Sequence, residues 1–213
     1  MNLEQARFNM IEQQIRPWNV LDVSILSLLS AVRREDFVPA QHQSLAFVDM
    51  EIPLEGGRKL LAPRVEARIV QELQVHKHER VLLVGAATGY LAALLGHKAQ
   101  RVLAFEADDA LAQQARANLQ RAGLGNVEVR VGTGADGAPQ DAPFDVIVLA
   151  GAIDEVPAAI LQQLKQGGRL LAITGQEPVQ VARIHGADQS ARPVFDTVVA
   201  PLPGFKKKSG FSF

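Results

Sequence analysis

The stretch RVLLVGAATGYLAALL, residues 80–95, decides the fold. Its first five residues read as a buried strand, residues 89–96 as a small-residue helix, and VGAATG as the turn that joins them. No side chain in Val84–Gly89 can move a proton, so this turn suits a ligand that is held by backbone groups and helix amides. Downstream, short apolar runs alternate with helical patterns. RVLAFE (101–106), VEVRV (127–131), FDVIVLA (144–150) and GRLLAIT (168–174) read as strands. Residues 108–122 read as a helix with Leu111, Ala115, Leu119 and Ala122 on one face, and 154–164 as a helix capped by Asp154. This alternation predicts an α/β fold with a mostly parallel sheet covered on both faces. VQVARI (179–184) and PVFDTVVAPL (193–202) are expected to close it as an antiparallel pair. The tail KKKSGFSF, 206–213, reads as a loosely held terminus, with Phe211 and Phe213 packing back on their own domain.

Upstream, residues 1–75 read as a helical annex with a substrate loop, and 76–213 as the core. Asp22 can cap a helix in which Ile25, Leu28, Leu29 and Val32 recur at helical spacing. A loop over 44–62 contains Pro53, Gly56 and Gly57. Pro63 then suits the first turn of a helix whose Val65, Ile69, Val70 and Leu73 share a face.

Composition narrows the function. The 213 residues carry 22 basic and 23 acidic side chains, a net charge near −1, so no global field recruits nucleic acid or anionic lipid. Cysteine is absent, which removes disulfides, thiol catalysis and thiolate metal sites and fits a cytoplasmic location. The longest uncharged run, 81–96, is too short to span a bilayer. His76 and His78 lack a third metal ligand, and His42, His97 and His185 stand alone, so no metal is expected. Asp108 and Asp109 open a helix, where capping outweighs catalysis. Lys206, Lys207 and Lys208 read as a solvated charge run.

In an open parallel sheet, ligands bind at the carboxyl ends of strands, where the strand order reverses. The turn at Gly85 sits at such an end. Glu106 ends the next strand 106 − 85 = 21 residues later, where an acid can grip ribose hydroxyls. The three key positions of a dinucleotide fingerprint are here Gly85, Ala87 and Tyr90, and a tyrosine at the third argues against NAD. The run LKQGGRLLAIT, 164–174, is typical of S-adenosylmethionine-dependent methyltransferases.

Together, MIEQQI, DFVPAQ, AFVDMEIPLEGG, VLLVGAATGYLAALL, NVEVRVGTGADGAP, APFDVIVLAGAIDEVPAAILQQLKQGGRLLA and VVAPLPG make the chain resemble the protein-L-isoaspartate O-methyltransferases. The resemblance implies a doubly wound, seven-stranded Rossmann-like methyltransferase sheet. It implies S-adenosylmethionine as cofactor, with S-adenosylhomocysteine as product, held by Gly85, Ala86, Ala87, Thr88, Gly89, Glu106, Ala107, Thr133 and Gly134. The implied substrate is a protein or peptide bearing an abnormal carboxylate, met by Ile52, Arg58, Lys59 and Leu61, with neither nucleic acid nor membrane as partner. The chain departs from the family where Leu61 replaces the active-site serine, Leu83 an acid of the first strand, Ala87 a glycine and Thr133 the adenine-binding aspartate. No catalytic residue is therefore assigned. Two alternatives follow from those departures: a same-fold methyltransferase with another acceptor, or a non-catalytic binding protein.

Overall fold

The computed structural model describes residues 2–206, so the tail from 207 onward, with Phe211 and Phe213, lies outside the described residues. Asn2 caps the first helix, α1 (Leu3–Met10), by accepting the Glu4 and Gln5 N–H groups. The chain continues as a π turn and a 3-10 turn to Asn19, then enters α2 (Val23–Ala31), where Asp22 accepts the Ser24 N–H at 2.8 Å as its cap. The segment read as a loop contains a small antiparallel hairpin of β1 (Ile52–Pro53) and β2 (Lys59–Leu60). Pro63 opens α3 (Pro63–Leu73), as its lack of an N–H allows.

The core follows as β3 (Arg80–Val84), α4 (Tyr90–Lys98), β4 (Arg101–Glu106), α5 (Asp109–Arg121) and β5 (Val127–Val131). Then come β6 (Phe144–Ile153), α6 (Ala158–Leu161), β7 (Leu164–Gln176), β8 (Val179–Gly186) and β9 (Ala191–Thr197). The sheet order is β5-β4-β3-β6-β7-β8-β9, parallel through β7 and antiparallel for the last two pairings. Strand order reverses between β3 and β6, which puts the crevice at their carboxyl ends.

Two expectations need correction. The helix expected over 154–164 shrinks to four residues preceded by Pro157, and Asp154 accepts from Gln176 instead of capping. Pairing of Ala152 with Ile173 and Ile153 with Thr174 keeps the backbone in β6, and Val156 before the proline is steered away from helical angles. The last strand ends at Thr197 instead of running to 202. There Gln180 takes the Val199 N–H at 2.8 Å and donates to its carbonyl at 3.3 Å, drawing the chain out of the ladder. Pro201 then bridges to Ala152 at the end of β6.

Alternation along the strands sorts the core into two layers. Val81, Leu83, Val102, Ala104, Val146 and Val148 face the larger layer, built from α3, α4, α5 and the residue 1–75 segment. Leu82, Val84, Leu103, Ile147 and Leu149 face a thinner layer with Ile160, Leu164 and Leu202. No helix among the described residues is long and apolar enough to cross a membrane.

A buried cation joins the N-terminal segment to the core. Arg34 is 0% exposed, donates to the Ala46 carbonyl at 3.1 Å and the Leu61 carbonyl at 2.7 Å, and pairs with Glu66 of α3. Its guanidinium also lies 5.1 Å over the Tyr90 ring. Burial pushes the Glu66 carboxyl above the ordinary carboxylate range, with Arg34 pulling the other way. Removing one partner of such a pair strands the other. Arg34→Met should cost about 3–5 kcal/mol in urea unfolding, and adding Glu66→Leu should return part of that loss. Equal stability of the single variant and the parent would contradict this account.

Candidate functional site

The cradle forms where β3 gives way to α4. The Gly85 and Ala86 N–H groups both donate to the Phe105 carbonyl at 2.9 Å, which fastens the turn to the neighbouring strand. Gly85 has φ +91°, and a Cβ there would lie 2.7 Å from Leu202 and 3.3 Å from the Ala150 carbonyl. Only a glycine fits that conformation and that space. Two residues on, Ala87 holds φ +48° without being glycine.

Glu106 ends β4 with 0% exposure. One carboxylate oxygen accepts the Ala87 N–H at 2.7 Å, and the other accepts the Asp108 N–H at 3.2 Å. The same two oxygens receive the guanidinium fork of Arg58, from Nε at 2.9 Å and from Nη2 at 3.3 Å. A charge this deeply buried requires such partners. Asp108 in turn caps α5 through the Leu111 N–H.

The C-terminal segment lies across the cradle. Leu202 donates its N–H to the Ala152 carbonyl at 2.9 Å and seats its side chain over Gly85. A Cβ on Gly204 would lie 2.6 Å from the Thr133 side chain, so the backbone here passes directly over Thr133. Glu51 links this segment to the loop: it accepts the Ala200 N–H at 3.0 Å and pairs with Lys59 at 3.1 Å.

The structure brings Gly85, Ala87, Glu106 and Arg58 into direct neighbourhood. Ala86 is buried in the turn. Thr88 is fully buried, its hydroxyl has no hydrogen-bond partner, and its carbonyl accepts from Asn118. Gly89 heads α4, Ala107 lies half-buried beside Glu106, and Gly134 fits against Phe105 and Val84. The other substrate-side positions stand apart. Ile52 is buried in the hairpin opposite Leu60, Leu61 is 6% exposed, and Lys59 reaches outward to Glu51. Leu83 is sealed in the core. His76 and His78 stack on each other, and no group of three metal-binding side chains occurs among the described residues.

Sequence reasoning missed Leu202, Gly204 and Glu51. The pattern VVAPLPG carried family likeness but no chemical signal, because Leu202 acts by shape and Gly204 by lacking a side chain.

The frame suits a nucleoside. It has a buried acid at the second strand end, a glycine turn at the first, and a helix start beyond it. Its contents compete, since Arg58 holds both oxygens of Glu106 and Leu202 fills the space before Gly85.

The family model described as Protein-L-isoaspartate(D-aspartate) O-methyltransferase (PCMT) matches residues 5–200. A protein-L-isoaspartate O-methyltransferase from Methylorubrum populi is 40% identical over 172 residues, 81% of each chain. Another from Methanoculleus marisnigri is 37% identical over 204 residues, 94% of this chain and 92% of the relative. Among solved structures, a protein-L-isoaspartate O-methyltransferase superposes with TM-score 0.79 at 25% identity, covering 93% of this chain and 66% of its own. A Plasmodium falciparum protein in complex with S-adenosyl-L-homocysteine gives TM-score 0.76 at 16% identity, covering 95% and 98%, a likeness of fold.

Ala87 offers a direct probe of the turn. Left-handed backbone costs an alanine roughly 1–2 kcal/mol, more than the unfolded-state entropy that glycine adds. Ala87→Gly should therefore hold or raise stability by up to about 1 kcal/mol in urea unfolding, whereas an alanine-to-glycine change elsewhere normally destabilises. A clear loss of stability would show that the turn is unstrained.

Proposed function

Since this chain belongs to the protein-L-isoaspartate O-methyltransferase family, we propose that it transfers a methyl group from S-adenosylmethionine to the abnormal carboxylate of isoaspartyl residues in damaged proteins. The observation that carries the reading is Glu106. It is a fully buried acid at the end of β4, joined to the glycine turn through Ala87, in a chain matched by the family model from residue 5 to 200. Bound S-adenosylmethionine would supply an activated methyl on a sulfonium.

The chain's own residues then have the task of holding and aligning. Glu106 would grip the ribose hydroxyls through the carboxylate that Arg58 now occupies. Gly85 would admit the ligand to the backbone, and the start of α4 at Gly89 would present its free amides. Thr133 and Gly134 would meet the adenine end. The acceptor carboxylate is ionised at neutral pH and is already a nucleophile, so no general base is required and alignment supplies the rate. The family's serine has no counterpart at Leu61, whose side chain is buried in the core, and no proton carrier is lost with it. Arg34 fixes the carbonyl of Leu61 from beneath, which positions the loop without a side chain entering the cleft. A cytoplasmic site of action suits a repair enzyme whose chain carries no cysteine.

A tritium methyl-transfer assay tests this reading. The protein should label isoaspartyl peptide and leave the matching aspartyl peptide unlabelled, and a folded protein with no transfer at saturating cofactor would refute it. Leu61→Ser should not raise the rate, because the side chain there faces the core. It should instead cost roughly 2–5 kcal/mol of stability, as truncations of buried leucine do. A marked rate gain would place that side chain in the cleft.

A further inference from the structure

Arg58 belongs to the loop expected to meet the substrate, and its guanidinium is buried rather than solvated. It makes a two-point contact with Glu106, the group on which nucleoside binding depends. Its Nη2 would lie 3.6 Å from a Cβ on Gly85, and Leu202 would lie 2.7 Å from the same Cβ. Ribose and the turn-facing part of a nucleoside would need those positions. Arg58 directly follows Gly56 and Gly57, with φ of +62° and +71°, and a Cβ on Gly57 would meet nothing within 4 Å. The two glycines give this loop backbone freedom, with open space beside Gly57 and the Asp108 carboxylate 2.8 Å from a Cβ on Gly56. Leu202 is pinned through its backbone to Ala152, and its buried side chain lies against Gly85 and Gly151.

We propose that Arg58 is an internal competitor for the cofactor: its fork takes the place of the ribose on Glu106, Leu202 closes over Gly85, and the nucleoside enters after both have turned aside. This rests on the reading of the cleft as a cofactor site. The closed form lowers apparent affinity by the fraction of molecules that are open, so a cleft open in about one molecule in a hundred binds about 100-fold more weakly than its intrinsic affinity. Glu51 joins the two covers, holding Ala200 on one side and Lys59 on the other, so they open as a linked pair. A bidentate guanidinium is the side chain best suited to this competition, because it satisfies both carboxylate oxygens at once.

The test is calorimetric titration of the full chain with S-adenosylhomocysteine, comparing the parent with Arg58→Gln, and with Arg58→Lys should the glutamine variant fail to fold by circular dichroism. Removing the fork should tighten binding at least about tenfold and speed association. In stopped-flow mixing the parent's rate should level off with ligand concentration, as a gated site does, and the variant's should keep rising. Equal or weaker binding by the folded variant overturns the competitor while leaving the methyltransferase reading intact. No binding by either protein, both folded, overturns the cofactor reading and the competitor with it.

Discussion

A carboxylate that water cannot reach must find donors for its lone pairs within the protein, and Glu106 finds them in three separate segments. Ala87 gives an amide from the turn, Asp108 an amide from the start of α5, and Arg58 a fork from the loop. One charge thereby fixes the relative placement of strand end, helix start and loop. The turn also hangs from β4 through the Phe105 carbonyl, so the backbone that would meet a ligand is held before any ligand arrives. Such fixed placement is what methyl transfer asks of a protein, because alignment rather than proton transfer limits the step.

The same economy explains how the first 75 residues are held. Tyr90, at the head of α4, fails the close-packing requirement of a dinucleotide fold because its ring is directed into the N-terminal segment. It meets Phe37 edge-on at 5.5 Å and lies under Arg34. Arg34 in turn ties the Ala46 and Leu61 carbonyls to Glu66. The helix that leaves the glycine turn and the loop that covers it thus share one buried anchor.

Much of the fold was legible because the signals were local. The strand–turn–helix at 80–95, the caps at Asp22 and Asp108, and Pro63 at a first turn all follow from propensity and spacing. Glu106 was legible from its distance to the turn. The misreadings arose where distant pairing won. β6 outran its expected end through contacts with β7, and Gln180 pulled Val199 out of the last strand. Arg58 was legible as a cation near the substrate loop but not as the partner of Glu106, since 48 residues separate them and no local rule joins them. Leu202 was silent for the same reason.

The open sheet leaves two strand borders, β5 and β9, whose outward backbone groups could template a strand from another molecule, although Arg116 and Arg68 already take the Val129 and Val194 carbonyls. The β9 border carries Pro193, which removes one donor, and a register shift where Ala182 gives way to Arg183 on β8 interrupts its regular ladder. The β5 border is crossed by alternating charge, with Glu128 paired to both Arg101 and Arg130. Charged side chains on an edge strand disfavour its pairing with a strand of another molecule. Each border is therefore guarded by a different device, and amyloid-like stacking of the native protein is opposed at both ends of the sheet.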